Sequence, residues 1–400
     1  IEKHGYPFDA ISVQYSGHHF NNAPPTLSSN DMIRKWNEKF VSPTFRSSLF
    51  HEFMDYIVAN YDEQLPVIRG AYPDWWTDGF GSAARETAAS RQTHADMVAI
   101  EGLLSMARAH GEPLPADTRD RIRHVHQNLL FYDEHTFGAA GSISDPTGES
   151  SQVQWAQKSS YAWEALKSAR IMYEKAGGLV QPYIARGERA TVTFYNTLNW
   201  PRSGATEIFV DHQMIPRNRR FRLVDSAGNE LKTQTSHSRG EGTYYLAYAE
   251  DIPPMGYKTY QIIVDEENVA DLPSTSMAEN TVENHYYRIV IDPAKGSIKS
   301  LYDKELGVEM IDADSPWLLG AFVYETLNNN RRQLERYTLT EYDRESLSNV
   351  QVKAGTDGAV FKNFFIEGAS AGVEERSGVK IEVRLFHTEK RVEMGYTTRK

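Results

Sequence analysis

Apolar residues recur along this chain at two different spacings, and the change falls near residue 178. Upstream the spacing is mostly helical. A short apolar run from Phe8 to Tyr15 empties into the loop Asn21-Asn22-Ala23-Pro24-Pro25, a pattern that predicts a strand and then a loop. Met32, Ile33 and Trp36 predict a helix over Asp31 to Lys39. A second is predicted from about Ser48, with Phe50, Phe53, Met54, Ile57 and Val58 on one face. The order is βα, βα. Two such units cannot bury a parallel sheet, which helices must cover on both faces, so the chain is expected to begin inside an α/β domain whose larger part lies upstream.

From about Ser82 to Gly111, Met97, Ile100, Leu104 and Ala107 follow one helix face, and Gly111 with Pro113 supplies the stop. Asp117 can cap a second helix whose stripe is Ile122, Val125 and Leu129, with Asp120 in its first turn. A third is predicted from about Ser151 to Ala176, carrying Trp155, Trp163, Leu166, Ala169 and Tyr173 and ended by Gly177-Gly178. Three helices joined by modest loops predict a bundle.

Beyond Gly178 the period becomes two. Ala190 to Tyr195, Thr206 to Val210, Tyr257 to Val264 and Tyr286 to Ile291 read as strands, punctuated by turn signals at Asn229-Glu230, Pro253 to Gly256 and Asp292 to Gly296. Glu266 to Asn280 is polar with few large apolar residues, so a linker between two β domains is expected there.

Composition narrows the function more than the fold. With 40% hydrophobic and 24% charged residues in 400, the chain has the make-up of a folded multidomain protein. Its net charge of −11 would repel a phosphate backbone, so nucleic acid is not an expected partner. No stretch approaches the roughly 18 apolar residues that span a bilayer, so no membrane association is expected, and the compartment is left open. Zero cysteines exclude thiol nucleophiles, disulfides and cysteine zinc sites. The 12% aromatic content suits sugar stacking, and equally suits β-sheet cores.

Three segments carry candidate chemistry. Tyr72 to Ser82 packs Trp75, Trp76, Asp74, Asp78 and two glycines ahead of a long helix; the tryptophans can form a sugar platform with Asp78 reaching hydroxyls, or simply pack the loop onto a neighbouring domain. His135 stands beside Asp133 and Glu134 at a helix end, where it can ligate a metal or serve as a solvated cap; one histidine alone does not make a zinc site. In Ser16 to Asn22, His18 and His19 follow a predicted strand and can bind substrate or metal, or fill a wet loop. His124 and His126 read as surface residues. No Ser-His-Asp order, phosphate-cradling loop or His-Glu-x-x-His helix is present.

Taken in order, these segments resemble glycoside hydrolase family 38, the α-mannosidases. The likeness rests on Gly5-Tyr6-Pro7-Phe8-Asp9 with Asn22 to Pro25 and Trp36 to Lys39, on Trp75 to Gly79 leading to Arg85-Glu86, and on Asp133 to Ala139. Asn196-Thr197-Leu198-Asn199-Trp200-Pro201-Arg202, and Tyr286-Tyr287 through Gly296 to Lys304, extend it. The resemblance implies the C-terminal end of an α/β barrel over residues 1–65 and a three-helix bundle over 66–180. A small β-sandwich over 181–268 and the start of a large β-supersandwich over 269–400 would follow.

It further implies a zinc-dependent retaining mechanism, with an Asp nucleophile and a second carboxylate acting as acid then base. One zinc ion is implied, with His135 as the ligand this chain supplies; the nucleophile and the other ligands are expected upstream, so this segment alone is expected to be inactive. Tyr72, Trp75, Trp76, Asp78, His19, Asn22 and Glu134 are the implied substrate contacts, and the implied partners are a carbohydrate and the rest of the parent polypeptide. Self-association is left open. Two departures stand out. The better-known mannosidases carry His-His-Asp where this chain has Glu134 and Thr136 around His135, and residues 16–25 contain no carboxylate, so no general acid is assigned. A noncatalytic carbohydrate-binding or structural protein with the same fold is the alternative.

Overall fold

The computed structural model describes residues 3, 5–14, 27–67, 69, 78–135, 145–185, 187–312, 314–327, 340–376 and 378–399. The chain divides into two compact units, Ile1–Trp75 and Trp76–Lys400.

In the first unit, α1 (Ser28–Lys39) and α2 (Phe50–Tyr61) form where the apolar spacing puts them. Trp36 Nε1–H donates to the Pro43 carbonyl at 2.8 Å, and Asn37 holds both backbone groups of Phe45, at 2.7 and 3.1 Å, so side chains fold the connection back on α1. Glu52 starts α2 by accepting the Leu49 N–H at 2.7 Å. The strand expected from Phe8 is not formed over residues 8–14, which are irregular. A strand exists only through a ladder partner, and the described residues of this unit contain no second one. Phe8 packs instead on Tyr61, and the Tyr56 hydroxyl donates to Asp9 at 2.9 Å. Ile57 is the one buried residue among those described here, while Met32, Val41, Phe50 and Val58 are exposed.

The second unit begins with α3 (Asp78–Ser82), α4 (Ala84–Ala109), α5 (Thr118–Asp133) and α6 (Glu149–Val180). The three long helices share one core: Met97, Ile100, Leu104 and Ala107 from α4, Val125 and Leu129 from α5, and Ala165, Ala169, Met172 and Ala176 from α6. Alanines every third or fourth residue let α6 approach both neighbours closely. Its buried stripe therefore runs through small residues, with Trp155, Trp163 and Tyr173 at the exposed edge.

The stop of α4 is a glycine cap. Gly111 has φ +89°, its N–H donates to Arg108 O at 2.9 Å, and Glu112 N–H donates to Ala107 O at 3.1 Å. The stop expected for α6 at Gly177-Gly178 is not used. Neither glycine takes positive φ, and the helix runs on to bury Val180 in the same core.

Every strand pair among the described residues is antiparallel. β1 (Thr191–Asn196), β2 (Arg202–Asp211), β3 (Arg219–Val224), β4 (Lys232–Ser238), β5 (Gly242–Ile252) and β6 (Gly256–Asn268) form two sheets, ordered β1-β6-β3 and β2-β5-β4. They share a core that includes Phe194, Val210, Leu223, Ala247 and Tyr260.

β7 (Thr281–Glu283), β8 (Tyr287–Asp292), β9 (Ser297–Asp303) and β10 (Val308–Glu309) pair in the order β10-β9-β8-β7, and β11 (Val323–Leu327) pairs with β12 (Tyr342–Ser346). β13 (Ser348–Asp357), β14 (Phe361–Ala369), β15 (Val379–Phe386) and β16 (Val392–Thr398) pair in chain order. Ile289, Ile298, Phe364, Ile381 and Val383 fill the core between the two four-stranded sheets.

The expected linker from Glu266 to Asn280 is structured in part. β6 runs to Asn268, and residues 273–275 bond along the edge at Gly355 to Asp357. Thr275 is buried there, with its hydroxyl donating to Asn363 O at 2.8 Å. Its polarity reflects a segment that satisfies a sheet edge with backbone bonds instead of apolar side chains.

Candidate functional site

Of the substrate contacts expected from the sequence, Tyr72, Trp75, Trp76, His19 and Asn22 lie outside the described residues, and so does the side chain of Asp78, whose backbone opens α3. Glu134 and His135 are described, and they follow the last residue of α5 directly. The site is therefore built at the C-terminal end of α5, against the first half of α4 and the early turns of α6.

Thr87, Ser90 and His94 recur every three or four residues on α4 and face that end. The Tyr132 hydroxyl lies 2.8 Å from Thr87 Oγ1. Tyr132 is 1% exposed and is enclosed by Phe80, Ala83, Tyr161 and Ala162. Burial pushes its phenol above the ordinary range, against the opposing effect of the Thr87 hydrogen bond. Ser90 Oγ donates to Asp133 Oδ1 at 3.0 Å, and His94 Nε2 lies 2.7 Å from Asp133 Oδ2. A carboxylate only accepts, so this ring nitrogen carries the hydrogen. Asp133, the last residue of α5, is thus fixed by two donors from α4.

The next two residues are held from α6. Lys158 Nζ donates to the Glu134 carbonyl at 2.7 Å and to its Oε2 at 3.2 Å, while Glu134 Oε1 lies 2.8 Å from His135 Nδ1. Lys158 is 9% exposed, whereas the His135 side chain is 68% exposed. The ammonium also sits at the negative end of the α5 dipole. Sequence reasoning missed Lys158, Ser90, His94 and Thr87. The signal for Lys158 was its register: it lies on the buried stripe with Ala162, Ala165, Ala169 and Ala176, where an unpartnered cation is not tolerated.

The Glu134 carboxylate lies against Nδ1 of the exposed His135 ring, and an imidazole so placed fits one ligand position of a zinc ion. Among the described residues, no group of three His, Cys, Asp or Glu could hold a metal. The remaining ligands of any such ion would come from elsewhere.

Several residues that carry the family resemblance have structural work. Trp163 Nε1–H donates at 3.0 Å to Glu86, which is 6% exposed, and the Arg85 guanidinium lies over the Trp163 ring. Buried Asn196 donates to the carbonyls of Trp200, Ile252 and Pro253 and accepts the Leu198 N–H, folding the turn between β1 and β2. Asp303 ends β9 by accepting the N–H groups of Glu305 and Leu306 and pairing with Lys390 at 2.9 Å.

A group of long helices followed by antiparallel sheets is an order that known proteins share. Residues 74–179 match the family model described as the alpha mannosidase middle domain. A solved α-mannosidase from Enterococcus faecalis V583 is similar in fold, with a TM-score of 0.52 and 13% identity. The likeness covers 93% of this chain and 48% of that one, so the chain spans about half the length of that mannosidase. No curated protein matches. Residues 74–179 are thus similar to the middle domain of the alpha mannosidases, as the resemblance to glycoside hydrolase family 38 implied, and the fold is similar to that of the solved mannosidase. No helix among the described residues is long and apolar enough to cross a membrane.

Proposed function

We propose that this chain is part of a retaining glycoside hydrolase acting on α-linked mannosides or related sugars. The observation that carries this reading is the match to an alpha mannosidase middle domain over residues 74–179, which contains both Glu134 and His135. In this reading His135 is one ligand of a single zinc ion, and the nucleophilic Asp and the other ligands lie outside this segment. Zinc, when bound, would engage sugar hydroxyls and help polarise the substrate. This chain's own part is to present His135 from a rigid helix end and to line the sugar site with Tyr72, Trp75, Trp76, Asp78, His19, Asn22 and Glu134. Residues 1–65 are the end of an α/β barrel in this reading, residues 66–180 are the three-helix bundle, and the paired sheets downstream are the sandwich domains.

The test uses the full-length protein that contains this segment. Wild type is expected to hold about one zinc per chain and to hydrolyse an aryl α-mannoside. His135→Ala is expected to lose most of the metal and at least about 100-fold in kcat/KM. A zinc content unchanged by the substitution removes His135 from the metal site. Absence of zinc and of hydrolysis in the wild type favours the noncatalytic carbohydrate-binding reading, for which the lack of any carboxylate in residues 16–25 is the supporting observation.

A further inference from the structure

We infer that Lys158 is a positioning residue that acts through Glu134 to set the orientation and tautomer of His135. This inference rests on the reading of His135 as a zinc ligand, and it adds a residue on a different helix to that site.

The argument starts from the cost of the lysine. A lysine 9% exposed on a buried face that is otherwise mostly apolar must be paired, and a well-packed apolar residue of similar size would serve stability at least as well. Among the described residues, Lys158 donates twice to one residue, to the Glu134 carbonyl at 2.7 Å and to Glu134 Oε2 at 3.2 Å. They fix the backbone and the side chain of Glu134 together. The other carboxylate oxygen then faces His135 Nδ1 at 2.8 Å.

A carboxylate has no hydrogen to give, so the approach of Glu134 Oε1 to Nδ1 favours the neutral tautomer with the hydrogen on Nδ1 and the ring lone pair on Nε2. That is the form of a histidine that ligates through Nε2. Asp133 is anchored separately by Ser90 and His94, so the residue before Glu134 is held from α4 while Glu134 is held from α6. A lysine that only capped α5 would need the carbonyl alone; the second contact, to Oε2, passes its hold on to the imidazole.

Two readouts in parallel test this. In the 400-residue chain, histidine-labelled nitrogen spectra above pH 8 report the His135 tautomer, assigned by the loss of its signals in His135→Ala. Zinc affinity of the full-length protein is measured by chelator competition. Wild type is expected to show Nδ1–H. Lys158→Met and Glu134→Gln are each expected to shift His135 toward Nε2–H and to weaken zinc about 10- to 100-fold, with helical circular dichroism retained. Unchanged tautomer and zinc affinity in folded variants would overturn the role of Lys158. If Lys158→Met does not fold, Glu134→Gln decides by the same readouts. If the wild type binds no zinc, the metal reading fails, while a tautomer shift still supports the Lys158–Glu134–His135 relay and an unshifted tautomer ends it.

Discussion

Charged side chains in this protein are placed to finish turns and helix ends, and Asp303 shows the consequence for pH. Its carboxyl is held below the ordinary range first by the Lys390 hydrogen bond and then by the Leu306 N–H. A carboxyl with a depressed folded pKa adds stability above its unfolded value of about 3.9, and that part is lost as pH falls through the folded value. The gap in denaturant midpoint between wild type and Asp303→Asn is therefore expected to be constant from pH 7 to about pH 5 and to shrink below about pH 4. A gap that stays constant down to pH 2 would show that the pair does not couple to folding. Asn196 belongs to the same class of residue. Its sequence motif signalled that it mattered, but only the buried carbonyls of Trp200, Ile252 and Pro253 around its amide show that its work is structural.

Element boundaries were legible where a local signal agreed with packing and misleading where the two diverged. Gly111 is a true stop because its φ of +89° is needed for the cap, so Gly111→Ala is expected to cost about 1 kcal/mol in urea unfolding. The paired change Gly177→Ala, inside α6 with nothing near the added methyl, is expected to stabilise by up to about 1 kcal/mol. Equal effects at the two positions would contradict the assignment of one as cap and the other as helix interior. Both glycines look alike in sequence. What separates them is whether the residues beyond have a core to enter: Val180 does, and Glu112 turns away. The run from Phe8 failed as a strand for the matching reason, since a strand depends on a partner that local composition cannot specify.

At the scale of the whole molecule, the two units differ in how much they bury. Residues 76–400 enclose three sizeable cores, whereas the described part of residues 1–75 buries Ile57 and leaves Met32, Val41, Phe50 and Val58 exposed. Limited proteolysis of the 400-residue chain is expected to cut within residues 27–67 before any site in α4, α5 or α6. Equal protection of both units would mean that these exposed apolar residues are covered in solution.

The sequence by itself determined the order of helical and extended segments, because side-chain period is a local property of the backbone. It also carried the family resemblance and pointed to Glu134 and His135, because a helix end followed by a polar, glycine-containing loop is written in consecutive residues. What the tertiary structure decided was every relation across the chain. Lys158 lies 24 residues from Glu134 and Trp163 lies 77 from Glu86, and no spacing rule links such pairs until helices pack side by side. The segment around Thr275 became part of a sheet edge for the same reason: its backbone partners are on β13 and β14, and only the folded chain brings them together.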